Sequence, residues 1–186
     1  MRTLYATTRR TIVWDGDSLT ASPPSGGGAV SYPEFASQLI RGTPRIVNIA
    51  VSGSFGGHLG YDLSPHALAY VIMTGHNGLF SGETGETVLS VLSDRIALVR
   101  GVGEKYAFIT KVFSSVLLSG AKETERNTAN AGMAGLGADG VIDFEIDPRF
   151  SNPMNFTDGT HDGETFRKRR GEIAAKIIND TLGYTP

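Results

Sequence analysis

The sequence predicts a three-layer α/β/α fold built on a five-stranded, mainly parallel sheet. Short apolar runs alternate with longer amphipathic stretches, a pattern typical of strands that are connected by crossover helices. The 186 residues are 40% apolar and 19% charged, and this length and balance suit one globular domain with its own core. Because the chain has neither an internal repeat nor a linker, we expect residues 1–186 to form a single domain.

Residues 1–60 are predicted to contain two strands and one helix. Residues 11–14 are a short apolar run and are expected to form a buried strand. Residues 21–31 contain Pro-Pro and Gly-Gly-Gly, which indicates a loop. Residues 32–41 are expected to be helical, because a proline near their start is acceptable in a first helical turn. The other elements are a strand at residues 45–51 and a glycine-rich loop at residues 52–60.

Residues 61–186 are predicted to contain three more strands and three helices. Residues 67–74 are the most apolar of the strands. Residues 85–100 are expected to form a helix, because their apolar side chains share one broad face. Gly132 and Gly135 weaken a helix over residues 122–136, which we expect over part of that length. The other elements are strands at residues 106–112 and 141–144, a long proline-containing loop, and a final amphipathic helix at residues 165–182.

Composition and charge exclude several classes of function. The formal net charge is -2, so no general attraction to nucleic acid is expected. The chain has no cysteine, which removes disulfides, thiolate metal sites and cysteine nucleophiles. Residues 1–10 are polar and no later stretch approaches the roughly 20 apolar residues of a membrane span. We therefore expect neither a signal peptide nor a membrane segment, and a cytoplasmic or unknown compartment; the oligomeric state is open.

Four polar or glycine-rich segments are expected at the carboxyl ends of the predicted strands. In a doubly wound, flavodoxin-like sheet, the ligand crevice lies beyond those ends. The four segments are residues 15–18, 52–57, 75–78 and 158–161. Their convergence predicts an active site at this edge of the sheet.

Ser18 occupies a position that suits a nucleophile. It follows the first buried strand, where a turn exposes the hydroxyl and directs backbone N–H groups into the crevice. Serine is also a common helix cap, so this position alone does not decide its role.

Four short motifs follow one another along the chain: Gly16-Asp17-Ser18-Leu19, Val47-Asn48-Ile49-Ala50-Val51-Ser52-Gly53, Gly75-His76-Asn77 and Asp158-Gly159-Thr160-His161. They resemble the four motifs of the SGNH, or GDSL-type, hydrolases and occur in the order of that family. The resemblance implies that Ser18 is the nucleophile, with His161 as its base and Asp158 as the carboxylate that orients the base. It also implies an oxyanion hole made by the backbone N–H groups of Ser18 and Gly53 and the amide of Asn77.

The resemblance further implies a substrate class. His76 beside Asn77 resembles a variant of the family found in carbohydrate acetylesterases, so an O-acetylated carbohydrate is the leading substrate, with lipid, aryl and thioester substrates close behind. We expect His76 and Asp17 to contact the substrate, and we expect no metal and no organic cofactor. Two positions need attention: Gly78 stands where the family often has an acidic residue, and Asp162 could compete with Asp158 for His161.

Two other functions remain open at this point. Asp15-Gly16-Asp17 also resembles the Asp-x-Asp motif of haloacid-dehalogenase-like phosphatases, with Asp15 as nucleophile, Asp17 as acid and Mg²⁺ as cofactor. The second alternative is a non-catalytic carbohydrate-binding domain on the same scaffold. Outside the motifs, we interpret Trp14 as a core residue and the basic residues 167–170 as a solvated helix face.

Overall fold

The computed structural model describes residues 10–21, 30–42, 44–55, 64 and 66–183. Its strands are β1 (Thr11–Asp15), β2 (Arg45–Asn48), β3 (Ala67–Ile72), β4 (Tyr106–Thr110) and β5 (Gly140–Ile142). They form one sheet in the order β2-β1-β3-β4-β5, and each neighbouring pair is parallel. This is the strand order of the flavodoxin-like doubly wound fold, so the predicted fold class is confirmed.

The helices within the described residues are α1 (Tyr32–Leu39), α2 (His76–Phe80), α3 (Gly85–Gly101), α4 (Ala121–Gly132) and α5 (Glu164–Thr181). Helix α2 has no counterpart among the predicted elements, because its five residues are too few to show a helical period. Helix α4 stops at Gly132 and continues as a 3₁₀ turn, Met133–Leu136, which agrees with a helix over only part of residues 122–136. None of these helices is both long and apolar enough to cross a membrane.

Several predicted elements differ from the observed ones at their ends. Strand β2 ends at Asn48, whose side-chain oxygen accepts a hydrogen bond from the backbone N–H of Ala50 at 3.1 Å. Strand β5 ends before Asp143, whose carboxylate accepts from the N–H of Glu145 at 2.9 Å and starts a 3₁₀ turn. Both strands end where these local side-chain bonds form and are shorter than predicted, although beyond Asn48 the N–H groups of Ile49 and Val51 still donate to the carbonyl oxygens of Trp14 and Gly16 at 2.8 and 3.0 Å. Parts of the loops expected at residues 21–31 and 52–60 lie outside the described residues.

Two apolar cores lie on opposite faces of the sheet and give the fold its three layers. One core packs β1, β3 and β4 against α1 and α5, and the other packs the same strands against α3 and α4. Trp14 belongs to the first core, is 0% exposed, and meets Tyr32 edge to face at a ring-centroid distance of 5.3 Å. The interpretation of Trp14 as a core residue is therefore confirmed.

Candidate active site

Ser18 lies in a tight turn after β1, residues 15–21, which we call the serine turn. Two backbone N–H groups later in this turn donate to the carbonyl oxygen of Asp17 at 3.0 and 2.8 Å, and the N–H of Leu19 donates to the Asp17 carboxylate at 2.9 Å. A side chain at Gly16 would not fit, because its Cβ would lie 2.9 Å from the carbonyl oxygen of Met73. The turn holds Ser18 half-buried at the carboxyl end of β1.

His161 and Asp158 lie in a second loop, residues 156–162, which we call the histidine loop. The Oγ atom of Ser18 lies 3.0 Å from Nε2 of His161, although the two residues are 143 positions apart in the chain. Nδ1 of His161 lies 2.8 Å from Oδ2 of Asp158. The structure thus brings together the three residues that the resemblance implies as a triad, in a hydrogen-bonded order of serine, histidine and carboxylate.

The carboxylate of Asp158 is fixed by the backbone of its own loop. Its Oδ1 accepts from the N–H groups of Thr160 and His161 at 3.0 and 2.6 Å. Burial on its own would raise the pKa of Asp158, but these hydrogen bonds and the His161 ring outweigh burial and lower the pKa to about 2. Asp158 is therefore ionised near neutral pH, as a group that stabilises an imidazolium must be.

Asp162 does not compete with Asp158 for the imidazole. Its carboxylate lies 3.2 Å from Nη1 of Arg170, and the two side chains are 6% and 0% exposed. The same Nη1 donates to the carbonyl oxygen of Leu19 in the serine turn at 2.9 Å. One buried guanidinium nitrogen therefore joins the residue after Ser18 to the residue after His161.

The burial of Arg170 contradicts our interpretation of residues 167–170 as a solvated face. Its guanidinium lies 4.0 Å from the ring centroid of Tyr32, 4.7 Å from that of Phe144 and 5.1 Å from that of Phe113. Of the four basic residues, Lys168 alone is exposed, and Arg167 and Arg169 are half-buried. The sequence did contain an indication that Arg170 is buried: it lies four residues after Phe166 and therefore on the apolar face of α5.

Gly53 and Asn77 lie beside the serine turn. Gly53 has a φ of +81°, a conformation that favours glycine. The side-chain amide of Asn77 donates to the carbonyl oxygen of Ser54 at 2.9 Å, and the Ser54 hydroxyl donates to the carbonyl oxygen of Gly16 at 3.0 Å. These bonds join the loop of residues 51–55, which we call the glycine loop, to both α2 and the serine turn.

The other residues that the sequence singled out are more buried. Asp17 is 2% exposed, and burial raises its pKa to about 6. His76 is 4% exposed, burial lowers its pKa to about 4, and its Nε2 has no hydrogen-bond partner in the part of the chain that the structure describes. Substrate contact by either side chain stays a prediction.

Glu83 explains the departure at Gly78. A Cβ at position 78 would lie 2.0 Å from Oε2 of Glu83, so the Glu83 carboxylate occupies the space that a side chain at position 78 would need. The backbone N–H of Glu83 also donates to the carbonyl oxygen of Gly78 at 2.9 Å. An acidic group therefore lies at this position although the residue itself is glycine.

Solved structures match nearly the whole chain, whereas no family model and no curated protein matches it. A lipolytic protein of the G-D-S-L family from Veillonella parvula has a TM-score of 0.75 and 16% identity, over 91% of this chain and 98% of that one. The carbohydrate acetylesterase Est24 from Sinorhizobium meliloti has a TM-score of 0.70 and 12% identity, over 92% and 99% of the two chains. An aryl esterase of M. smegmatis has a TM-score of 0.70 and 16% identity, over 93% and 100%. The chain therefore has the three-layer α/β/α fold of these G-D-S-L and esterase structures.

Proposed function

We propose that this protein is a serine ester hydrolase of the SGNH type, formed by a single domain over residues 1–186. The observation that carries the proposal is the chain of contacts from Ser18 to His161 at 3.0 Å and from His161 to Asp158 at 2.8 Å. Both distances are within reach for proton transfer and for orientation of the base. A nucleophile, a base and an orienting carboxylate in this order are the groups that acyl transfer needs.

In the first half of the reaction, His161 takes the proton of the Ser18 hydroxyl while Oγ attacks the carbonyl carbon of the ester. The bond from Oγ to carbon forms, and the carbonyl oxygen becomes an oxyanion. The N–H groups of Ser18 and Gly53 and the amide of Asn77 would donate to that oxyanion. The Asn77 amide has two N–H bonds, one of which is directed to Ser54, so the second can serve the substrate.

The tetrahedral intermediate then collapses, and the bond from carbon to the alcohol oxygen breaks. His161 returns its proton to that oxygen, so the alcohol leaves neutral and the acyl group remains on Ser18. In the second half, His161 takes a proton from water as the water oxygen attacks the acyl carbon; the bond from carbon to Oγ then breaks, and His161 returns the proton to Oγ, which releases the carboxylic acid and restores Ser18. The ionised Asp158 stabilises the imidazolium in both halves, and the cycle uses neither a metal ion nor an organic cofactor.

The acyl group that we propose is small. Similar structures include a carbohydrate acetylesterase and an aryl esterase, so an acetyl ester is a reasonable first substrate. An O-acetylated carbohydrate, the substrate favoured by His76 in the sequence, is one candidate for the alcohol part, and an aryl or alkyl alcohol is another.

Labelling of Ser18 tests the proposal directly. A fluorophosphonate should label Ser18, as read by peptide mapping, and Ser18→Ala should lower ester hydrolysis by about 10³-fold or more. Label at another serine of a folded, active preparation would contradict the assignment. A folded protein that takes up no label and hydrolyses no ester would favour the non-catalytic alternative.

The phosphatase alternative is less well supported. It needs Asp15 as the nucleophile, but Asp15 is 1% exposed, while Ser18 is half-buried. Ester hydrolysis should survive treatment with EDTA, and phosphate monoesters should not react. Chelator-sensitive phosphatase activity that is lost in Asp15→Asn would overturn the proposed function.

A further inference from the structure

Exposed apolar side chains border the candidate active site on the glycine loop. Val51 and Phe55, at the two ends of this loop, are 48% and 51% exposed. The N–H of Val51 donates to the carbonyl oxygen of Gly16 at 3.0 Å. The hydroxyl of Thr74 donates to the carbonyl oxygen of Phe55 at 2.8 Å. The loop is therefore fixed against the serine turn while both of these apolar side chains face solvent.

A second apolar segment, residues 115–118, lies against the histidine loop. Val116 and Leu117 are 42% and 40% exposed. The N–H of Val116 donates to the carbonyl oxygen of Gly159 at 2.9 Å, and the hydroxyls of Ser115 and Thr160 lie 2.7 Å apart. The Val116 side chain covers Gly159, because a Cβ on that glycine would lie only 2.5 Å from it.

These two segments stand out in the exposed surface that the structure describes. They hold four of its nine exposed large apolar side chains, and neither segment contains a charged residue. When a ligand covers apolar groups that face water beside a reactive centre, the burial of their surface favours binding of that ligand. A sugar, whose surface is mostly hydroxyl, offers them less than an alkyl or aryl group does.

We infer that the substrate is a neutral ester of an apolar alcohol, alkyl or aryl, bound between the glycine loop and residues 115–118. This inference rests on the proposed function, since it concerns the substrate of the same site. His161 returns its proton to the leaving alcohol, so that alcohol departs next to the histidine loop. Val116 and Leu117 pack on that loop and contact the apolar part of the alcohol, and Phe55 contacts the ester from the opposite side.

Acetate esters of alcohols that differ only in length test the inference. Ethyl, butyl and hexyl acetate share an acyl group and have leaving alcohols of similar acidity, so their kcat/KM values report contacts with the alkyl chain. We expect kcat/KM to rise about tenfold from ethyl to hexyl acetate, because each buried methylene favours binding. Acetylated xylose, assayed in parallel by acetate release, should be hydrolysed less efficiently than hexyl acetate.

Two variants and a matched control assign the effect to these segments. Leu117→Asn and Phe55→Asn should each lower the ratio of kcat/KM for hexyl over ethyl acetate by about threefold. Leu98→Asn is the control, because Leu98 lies on α3 and is 41% exposed, close to the 40% of Leu117; its ratio should equal that of the wild type.

Two results would overturn the inference and leave the proposed function intact, provided that Ser18 is labelled and ethyl acetate is hydrolysed. One is a kcat/KM that does not change with alcohol length. The other is faster hydrolysis of acetylated xylose than of hexyl acetate, with no effect of the Leu117 and Phe55 substitutions on either substrate. If Ser18 takes up no label and no ester is hydrolysed, the proposed function fails, and the inference fails with it.

Discussion

Arg170→Met tests whether one buried guanidinium holds together the loops that carry Ser18 and His161. The substitution keeps much of the side-chain length but removes the ion pair to Asp162. The side chain of Arg170 is 0% exposed and that of Asp162 is 6% exposed. Removal of one partner from a buried pair leaves an uncompensated charge, which costs about 3–5 kcal/mol. For a domain of this size, the melting temperature should fall by about 6–20 °C.

Thermal unfolding followed by circular dichroism measures this loss, and a double-mutant cycle shows its origin. Asp162→Leu combined with Arg170→Met removes both charges, so the double variant should be more stable than either single variant. The double variant still lacks the bond from Nη1 of residue 170 to the carbonyl oxygen of Leu19, which loosens the alignment of Ser18 with His161. We therefore expect kcat to fall about tenfold with little change in KM.

Two outcomes would refute this reasoning. A loss below about 1 kcal/mol in Arg170→Met would mean that the buried ion pair is not a major contribution to stability. A double variant that is folded and has the kcat of the wild type would mean that Arg170 stabilises the fold without positioning the serine turn.

Three further changes separate the roles of single residues. Asn77→Ala should lower kcat by about 10²–10³-fold in steady-state assays with little effect on KM, since the amide acts on developing charge; a loss confined to KM would contradict this role. Asp158→Asn should reduce kcat far more than Asp162→Asn, by up to about 10⁴-fold, whereas Asp162→Asn should mainly lower the melting temperature; the reverse order at equal stability would exchange the two roles. Asp17 has a folded pKa of about 6 against an ordinary 3.8, so its contribution to stability is present below pH 4 and is lost as the pH rises through 6. Between pH 4 and pH 8, the unfolding free energy of Asp17→Asn should therefore rise by up to about 3 kcal/mol relative to that of the wild type. Denaturation curves that give the same difference between variant and wild type at the two pH values would contradict this.

The general fold was predictable because it depends on patterns that one sequence contains. Apolar runs of strand length alternate with amphipathic helices, and this alternation restricts the topology to very few arrangements. The same logic brought Ser18 and Asn77 to one edge of the sheet, since both follow buried parallel strands. The spacing of Asp158 and His161 within one short loop also agrees with the contact between their side chains.

The burial of Arg170 was harder to predict because its neighbours in the chain are misleading. Three other basic residues precede it directly, and a run of like charges usually faces water. What buries Arg170 is tertiary: the rings of Tyr32 and Phe144 and the carboxylate of Asp162 come from separate segments. The end of β2 at Asn48 was missed for a local reason, because the apolar run continues through Val51, whose N–H still donates to the carbonyl oxygen of Gly16, although regular strand geometry ends at the side-chain bond from Asn48 to Ala50.

The distance of 143 positions between Ser18 and His161 has a consequence for the synthesis and refolding of this protein. A nascent chain that has been translated through β5 already carries Ser18, Gly53 and Asn77, but it lacks His161, the proposed base, so on the proposed mechanism it cannot turn over a substrate. Contacts of such long sequence separation form late because loop-closure entropy opposes them. Recovery of the proposed esterase activity should therefore lag behind recovery of helical circular dichroism after dilution from denaturant, which would make turnover a reporter of the completed fold.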